Sequence, residues 1–526
     1  MEEQHRLVRS AGAMSFMTLI SRIFGYLRDL LLAQILGASR SADAFIIAFR
    51  LPNLLRRLVG EGAFTAAFVP TLSEYMKPEN RRNMWRFAAM TFWTMACVLM
   101  VLSALGVVFA PTLVKLLAYG FTDIEEKWDL TVSLSRMMFP YLLFIGLAAL
   151  VQGILNVNGS FAVPAFTPVL LNLSIIGAAL VVAPRLDEPA YGFAWGVLVG
   201  GVLQLGFQIP FVVRLGMRFP PLLGFTDPGV RQIGRLMIPG LFGMGVTQVT
   251  ILVDSFVASM LKEGTVSALY YSGRINELAL GSFAISISTV ILPALSRHAS
   301  AGRIDELRAT LGYGLRIVAF ITVPSAVGLF LLREPIIQTL FERGRFTADD
   351  TLFAAEALRF YALGLFPFGA VKILAPAFYS QKDTRTPAIV AAWTLGGHLL
   401  LCPLLAFFMG HRGIALASSI SATVNMTLLM AAFSRRHGFP WARSILPHFL
   451  KVTGAASVMG AIAVVMIGWL QSATAAWPAG HLVALLTTLG VAAGVYFIVC
   501  HLAGIREMHD VVAAMRRSGR SDGTPR

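Results

Sequence analysis

The sequence predicts an all-α polytopic membrane protein with 14 transmembrane helices: two parallel six-helix repeats, then two C-terminal helices. Three observations carry this. Apolar runs of about 20 residues, the length that crosses a bilayer as a helix, recur along the whole chain. Of 526 residues, 56% are hydrophobic and 13% charged, and mean hydropathy is +0.71; soluble proteins carry about 25% charged residues. Segments of the first half also reappear in the second half, about 224 residues later. A transmembrane barrel would need period-two alternation over about 10 residues per strand, and no stretch shows it.

Each span closes its own backbone hydrogen bonds, so a helix bundle is the architecture that lipid permits. In order the expected spans are 9–37, 42–76, 85–112, 129–155, 162–184, 190–214, 232–262, 266–298, 306–333, 350–380, 385–409, 413–434, 444–471 and 481–503. Lys and Arg concentrate in the loops that are cytoplasmic if both termini are inside. These include 77–86 (KPENRRNMWR), 435–443 (RRHGFPWAR) and the tail 515–526 (MRRSGRSDGTPR). Positive charge marks the inner side, so both termini are expected in the cytoplasm. The formal net charge of +15 then belongs to these loops. No nucleic acid partner is expected, because no basic stripe with interleaved aromatics is present. Cys97, Cys402 and Cys500 lie inside apolar runs without metal-ligand spacing and are expected as small packing residues. No secretory signal peptide is expected at the start, since the first apolar stretch carries arginines and runs on without a clear cleavage site.

The repeat is read from three matches. ADAFIIAFRLPNLL (42–55) aligns with VSALYYSGRINELA (266–279), placing Arg50 on Arg274. VPTLSEY (69–75) aligns with LPALSRH (292–298) after one residue of slippage, and VPAFTPV (163–169) with TPAIVAA (386–392). Six helices per copy is an even number, so both copies run the same way through the membrane. The expected parts are an N-terminal lobe (1–220), a C-terminal lobe (221–440), spans 13 and 14 (441–505) and a basic cytoplasmic tail (506–526). Two-lobed transporters place their substrate between the lobes and open it to each side in turn.

The stretch SRIFGYLRD (21–29) puts Arg22, Arg28 and Asp29 into an otherwise apolar span, and Arg50, Arg56 and Arg57 follow in the second. An arginine at the centre of a membrane helix costs about 2.5–3.5 kcal/mol, so such residues face water, a partner or a ligand. Ion pairing offers itself for some: Arg57 with Glu61, four residues on, and Arg28 with Asp43. Arginines still outnumber nearby carboxylates. Gly25 permits a bend that would turn Arg22 and Arg28 to one cavity. In span 8, Ser267, Tyr271, Arg274, Asn276 and Glu277 suggest a polar stripe, or for the first two a seam between helices. A surplus of guanidinium groups suits an anion. Phosphate or diphosphate fits best, because the planar fork donates two parallel hydrogen bonds.

Together SRIFGYLRD, ADAFIIAFRLPNLLRRLVGEGAFTAAFVP and YYSGRINE, with the spans, resemble the MurJ/MviN lipid II flippases of the multidrug/oligosaccharidyl-lipid/polysaccharide exporter superfamily. The resemblance covers nearly the whole chain. It implies transport of lipid II, the undecaprenyl-diphosphate-linked peptidoglycan precursor, across the bacterial cytoplasmic membrane by alternating access. It also implies a role in cell wall biogenesis and cell shape, with membrane lipids around the protein, and a monomer is expected. Matching the family pattern residue by residue puts the substrate-binding arginines on Arg22, Arg28, Arg56 and Arg274, and other cavity positions on Asp43, Ser267 and Glu277. The acidic residue that often precedes the span 8 arginine is Gly273 here. Spans 13 and 14 are implied to hold the polyprenyl tail. Two other readings are a flippase for another polyprenyl-diphosphate-linked glycan, whose charge is the same, and a drug or metabolite antiporter, whose cationic substrates would want an acidic cavity. An enzyme is not expected: no nucleotide loop, metal cluster or nucleophile set is present, and His398 and His411 suit packing or loop positions.

For coupling, an intramembrane carboxylate is the first place to look, and Asp254 in span 7 has Thr247 and Thr250 on its face. Some members of the resembled family bind sodium at such an aspartate, with polar residues of spans 11 and 12. Span 12 offers Ser418, Ser421, Thr423 and Asn425, but span 11 offers His398 and Cys402 and no carboxylate. A thiol serves a hard cation poorly. The expectation is therefore no cofactor, a degraded Na+ site at Asp254, and membrane potential as the driving force.

Overall fold

The computed structural model describes residues 2–56, 64–75, 81–281, 284–438, 445–474, 476–477, 479–505 and 507–508. Arg57, Glu61 and most of the tail from 506 lie outside the described residues. Within the described residues every regular element is helical. The first repeat holds α1 (Glu2–Leu36), α2 (Arg40–Arg56), α3 (Phe64–Glu74), α4 (Arg81–Val108), α5 (Ala110–Leu117), α6 (Glu125–Met138), α7 (Tyr141–Val157), α8 (Ala162–Val181) and α9 (Ala190–Arg214). The second holds α10 (Pro228–Ser259), α11 (Thr265–Gly281), α12 (Ala284–Ser300), α13 (Ile304–Leu331), α14 (Arg333–Phe341), α15 (Ala348–Leu363), α16 (Leu365–Tyr379), α17 (Arg385–Met409) and α18 (His411–His437). Two more follow, α19 (Leu446–Ala473) and α20 (Gly480–Leu502).

Helix by helix, the second set follows the first at an offset close to 224 residues, and the breaks recur as well as the helices. Span 3, expected to run to 112, stops at Val108, and the chain restarts as α5; span 9 likewise stops at Leu331 and restarts as α14. Pro111 and Pro335, exactly 224 residues apart, sit in the first turn of each short helix. Proline lacks an N–H, so the first turn, where none is needed, is its preferred place in a helix. Spans 4 and 10 also break at equivalent points, Phe139–Pro140 and Gly364; α15 and α16 meet at 42°.

Nine described helices are long and apolar enough to cross a membrane, ten if α15–α16 is one bent span. The expected 14 includes spans 1, 2, 7 and 8 as well. These contain the intramembrane charges or residues outside the description, and composition alone does not certify them.

Packing divides the chain into two compact units: residues 1–267 with 343–347, and 268–342 with 348–526. These are not the repeats. α10 begins the second repeat yet packs on α3 in the first unit. The first unit is built on Phe68, Leu72, Phe87, Leu99, Leu150 and Ile154, from α3, α4 and α7. The second is built on Leu295, Leu307, Leu311, Leu315, Ile373 and Phe378, from the equivalent α12, α13 and α16. Close approach of α8 and α9 requires small residues. A methyl group at Gly196 would lie 2.7 Å from Ile175 Cα, the small-residue device of membrane helix pairs. Large apolar side chains instead face outward, Phe407 at 84% and Val465 at 75% exposure, as surfaces against lipid require. Glu507, in the segment expected as a tail, is buried: it accepts from Arg316 Nε of α13 at 2.5 Å and lies 3.4 Å from His448 Nδ1 of α19.

Candidate substrate site

In the first unit the predicted polar residues fall into three groups. On α1, Arg28 donates from Nε and Nη2 to Asp29 Oδ1 (3.0 and 2.8 Å) and from Nη1 to Asn172 Oδ1 of α8 (3.1 Å). Asn172 in turn donates to the Ser21 carbonyl at 3.1 Å. Ion pairing of Arg28, for which Asp43 was one possible partner, is made with its chain neighbour Asp29, buried beside it. α1 passes through Gly25 without a break, and a methyl group there would meet Asn172 at 3.5 Å. The Arg22 side chain is exposed on the same helix.

The second group is the most buried. Asp43 is 1% exposed and Lys127 3%. Lys127 Nζ donates to Asp43 Oδ2 at 2.7 Å and stands 4.1 Å over the Phe121 ring. Asp43 also accepts from the Gly264 N–H (2.9 Å, Oδ2) and from the N–H and hydroxyl of Ser267 (both 2.8 Å, Oδ1). The first N–H groups of a helix have no partner within it. Asp43 of α2 therefore caps the start of α11, and the buried carboxylate has a cation and three further donors. Asp43 and Ser267 meet directly, and here protein groups fill the carboxylate's coordination.

The third group lies on α2 and α10. Arg50 Nη1 donates to the Ser255 hydroxyl, which donates on to the Ile251 carbonyl at 2.6 Å. Arg56 Nε donates to Asn53 Oδ1 at 2.9 Å. Asp254 is half-buried on α10 beside Ser255, whereas the side chain of Thr247 lies outside the description.

In the second unit, Arg274 donates to Glu277 Oε2 at 2.9 Å and from Nε to the Tyr270 hydroxyl at 3.3 Å, with its guanidinium 5.2 Å from that ring's centre. Its side chain keeps 35% exposure and that of Glu277 65%. The expected stripe on α11 divides here. Tyr271 is fully buried against Phe341, with ring centres 5.1 Å apart, and Ser272 donates to the Ala354 carbonyl at 2.6 Å. Among the polar side chains that follow Ser267 on α11, Tyr270, Arg274 and Glu277 stay accessible. His398 and Cys402 of α17 are buried, and His398 Nδ1 shares a hydrogen bond with Ser421 Oγ of α18 at 3.0 Å. His411 is held by the Phe353 carbonyl at 2.9 Å. Both histidines pack between helices.

Sequence reasoning missed Lys127 and Asn172. Lys127 sits in an acidic stretch (DIEEKWD) that read as an external loop, although a lone lysine between carboxylates and aromatics is a signal of pairing. Asn172 is the one amide in the apolar run of α8.

A multidrug resistance MATE family transporter of the MOP superfamily, in an inward-facing conformation, superimposes with a TM-score of 0.64 at 14% identity, over 84% of this chain and 99% of that one. The two chains therefore share one polytopic helical fold. Residues 32–488 match the family model described as lipid II flippase MurJ. A probable lipid II flippase MurJ of Vibrio cholerae is 38% identical, covering 97% of this chain and 98% of that one. The lipid II flippase MurJ of Burkholderia cenocepacia is 36% identical over 87% and 89%. A solved lipid II flippase MurJ in an inward closed conformation has a TM-score of 0.79 at 28% identity, over 95% and 99%. The chain belongs to the MurJ family of lipid II flippases. It is a multi-pass transporter of the bacterial cytoplasmic membrane and not an enzyme.

Proposed function

We propose that this chain moves lipid II from the inner to the outer leaflet of the cytoplasmic membrane by alternating access, with both termini in the cytoplasm. The carrying observation is similarity to a probable lipid II flippase over 97% of the chain. Guanidinium groups on α1, α2 and α11 support the reading further. Arg22, Arg28, Arg56 and Arg274 would hold the diphosphate, since a guanidinium donates two hydrogen bonds to phosphate oxygens. Glu277 would complete the cavity between an N-terminal lobe (1–220) and a C-terminal lobe (221–440), with the buried Asp43–Ser267 contact bracing it rather than touching substrate. The apolar α19 and α20 would take the polyprenyl tail, and the basic tail would stay at the inner surface. The protein would act as a monomer. Membrane potential, negative inside, favours outward movement of an anion by about 2.3 kcal/mol per charge per 100 mV. In a bacterium depleted of its own lipid II flippase, expression of this gene should sustain growth and outward flipping of lipid II. Lysis despite normal membrane levels of the protein would overturn the proposal.

A further inference from the structure

Residues 343–347 come from the second repeat, yet they pack with the first unit. They follow α14, and Gly344 lies exactly 224 residues after Gly120, which follows α5. The local sequences match as well: GFTD at 120–123 and GRFTAD at 344–349. Each glycine lies on the last turn of the first helix of the opposite repeat. The Gly120 N–H donates to Ser259 Oγ at the end of α10 (3.1 Å), and a methyl group at Gly120 would lie 2.3 Å from the Ser259 carbonyl oxygen and 2.6 Å from Met260 Cα. At the end of α1, the Arg345 N–H donates to the Gln34 carbonyl at 2.8 Å, and a methyl group at Gly344, whose φ is +60°, would lie 2.3 Å from that same oxygen. The last carbonyls of a helix lack partners within it, and the second loop supplies one to Gln34.

We infer that Gly120 and Gly344 are positioning residues for transport: they seat two repeat-related straps, one on the end of α10 and one on the end of α1, that must lift before that end of the protein opens. The inference rests on the alternating-access reading above. Each strap is thin. It anchors one buried phenylalanine, Phe121 or Phe346, while Tyr119, Asp123, Arg343 and Arg345 remain exposed. A contact made by backbone on backbone, with one ring beneath it, can release and reseat without rebuilding a core. The first strap is also wired to the start of α11: Phe121 lies under Lys127, which holds Asp43, which caps Gly264 and Ser267. Lifting that strap loosens the ends of α10 and α11 together. Only glycine permits such close approach, so a β-branched residue at either position would wedge the strap open.

The test uses the full chain with Cys97, Cys402 and Cys500 replaced by alanine and Ser259→Cys as the single thiol, in isolated membranes treated with a water-soluble maleimide. Ser259 is 5% exposed, so labelling should be slow. Adding Gly344→Val, at the other strap, should raise the rate at least ten-fold; an unchanged rate at normal protein levels overturns the inference. If that variant does not accumulate, Gln34→Cys with Arg345→Cys in the cysteine-free chain decides. Oxidation to the disulfide should stop lipid II flipping and reduction should restore it, and undiminished flipping by fully cross-linked protein overturns the inference. Faster labelling in a protein that moves no lipid II would leave the straps standing and remove the proposed substrate instead.

Discussion

α2 and α11 occupy equivalent places in the two repeats, yet they use their polar residues differently. Asp43 and Ser267 lie 224 residues apart at matching positions, as do Arg50 and Arg274. In α2 the carboxylate is buried and its arginine donates to a hydroxyl of α10. In α11 the hydroxyl at the matching position donates back to Asp43, and Arg274 keeps a third of its surface open beside Glu277. Duplication therefore preserved the backbone plan and let the chemistry diverge: one copy supplies an internal cap, the other an accessible guanidinium. The difference separates groups whose loss should unfold the protein from groups whose loss should only stop transport.

The largest effect is expected at the cap. Lys127→Met leaves Asp43 buried without its cation, and breaking a buried pair costs about 3–5 kcal/mol. Thermal unfolding in detergent should show a large fall in Tm. Combining Lys127→Met with Asp43→Asn should recover more than half of it, because no bare charge then remains. A single variant as stable as the parent would show that the pair is dispensable. Next come the arginines. Arg22→Ala and Arg274→Ala should abolish complementation at normal membrane levels, with Tm nearly unchanged. Arg28→Ala should abolish it too and also lower stability, since Arg28 links α1 to α8 through Asn172. Lysine at these positions should rescue incompletely, lacking the bidentate fork. Normal growth of all three alanine variants would refute the diphosphate-binding reading.

Much of this contrast was legible in the sequence. The alignment of 42–55 with 266–279 locates α2 and α11 and pairs Arg50 with Arg274 from the residues alone. The family resemblance put Asp43 and Ser267 among the polar positions but not their bond, because a contact between segments 224 residues apart depends on how helices meet. Lys127 was hidden for the same reason: Phe121 is near it in sequence, but the carboxylate it pairs with, Asp43 of α2, is 84 residues away. The paired breaks at Pro111 and Pro335 were readable in principle, since both prolines fall at the offset. Hydropathy runs straight through Pro111, where a window of about 20 residues cannot see a one-residue interruption; Pro335 lies just past the expected end of span 9, behind Arg333 and Glu334.

A smaller effect is expected at the turn before α17. In the first repeat the equivalent turn uses Gly159 at φ +78°. In the second, Asp383 accepts from the hydroxyl (2.6 Å) and N–H (2.9 Å) of Thr386 and from Arg436. Those Thr386 bonds, and then Arg436, outweigh slight burial and hold the Asp383 carboxyl down at about 2 from an ordinary 3.8. A lowered carboxylate pKa stabilises the fold above the unfolded value, and the contribution disappears as pH falls through the folded one. Asp383→Asn should therefore flatten the loss of stability between about pH 4 and pH 2 and leave Gly159 variants unaffected in that window. The site is close to the surface, so the change should stay within the ~0–1 kcal/mol of exposed pairs. Parallel acid-unfolding curves for parent and Asp383→Asn would contradict this.

The smallest effect is expected on removing sodium. Asp254 of α10 stands where the first repeat has Leu30, one residue past the paired Asp29. An intramembrane aspartate invites a coupling role. The eleventh span nevertheless presents a thiol and an imidazole, Cys402 and His398, with His398 already sharing a hydrogen bond with Ser421. A hard cation prefers oxygen ligands, and neither side chain supplies one. If potential drives transport, flipping of lipid II in vesicles at a fixed potential should change little when sodium is replaced by potassium. Collapsing the potential in either salt should slow it, by up to about 50-fold for one charge moved across 100 mV, the factor that 2.3 kcal/mol implies. Asp254→Asn should leave that response in place. A steep loss of flipping in potassium, abolished as a difference by Asp254→Asn, would show instead that the second repeat carries the coupling ion and that a thiol in the eleventh span does not forbid it.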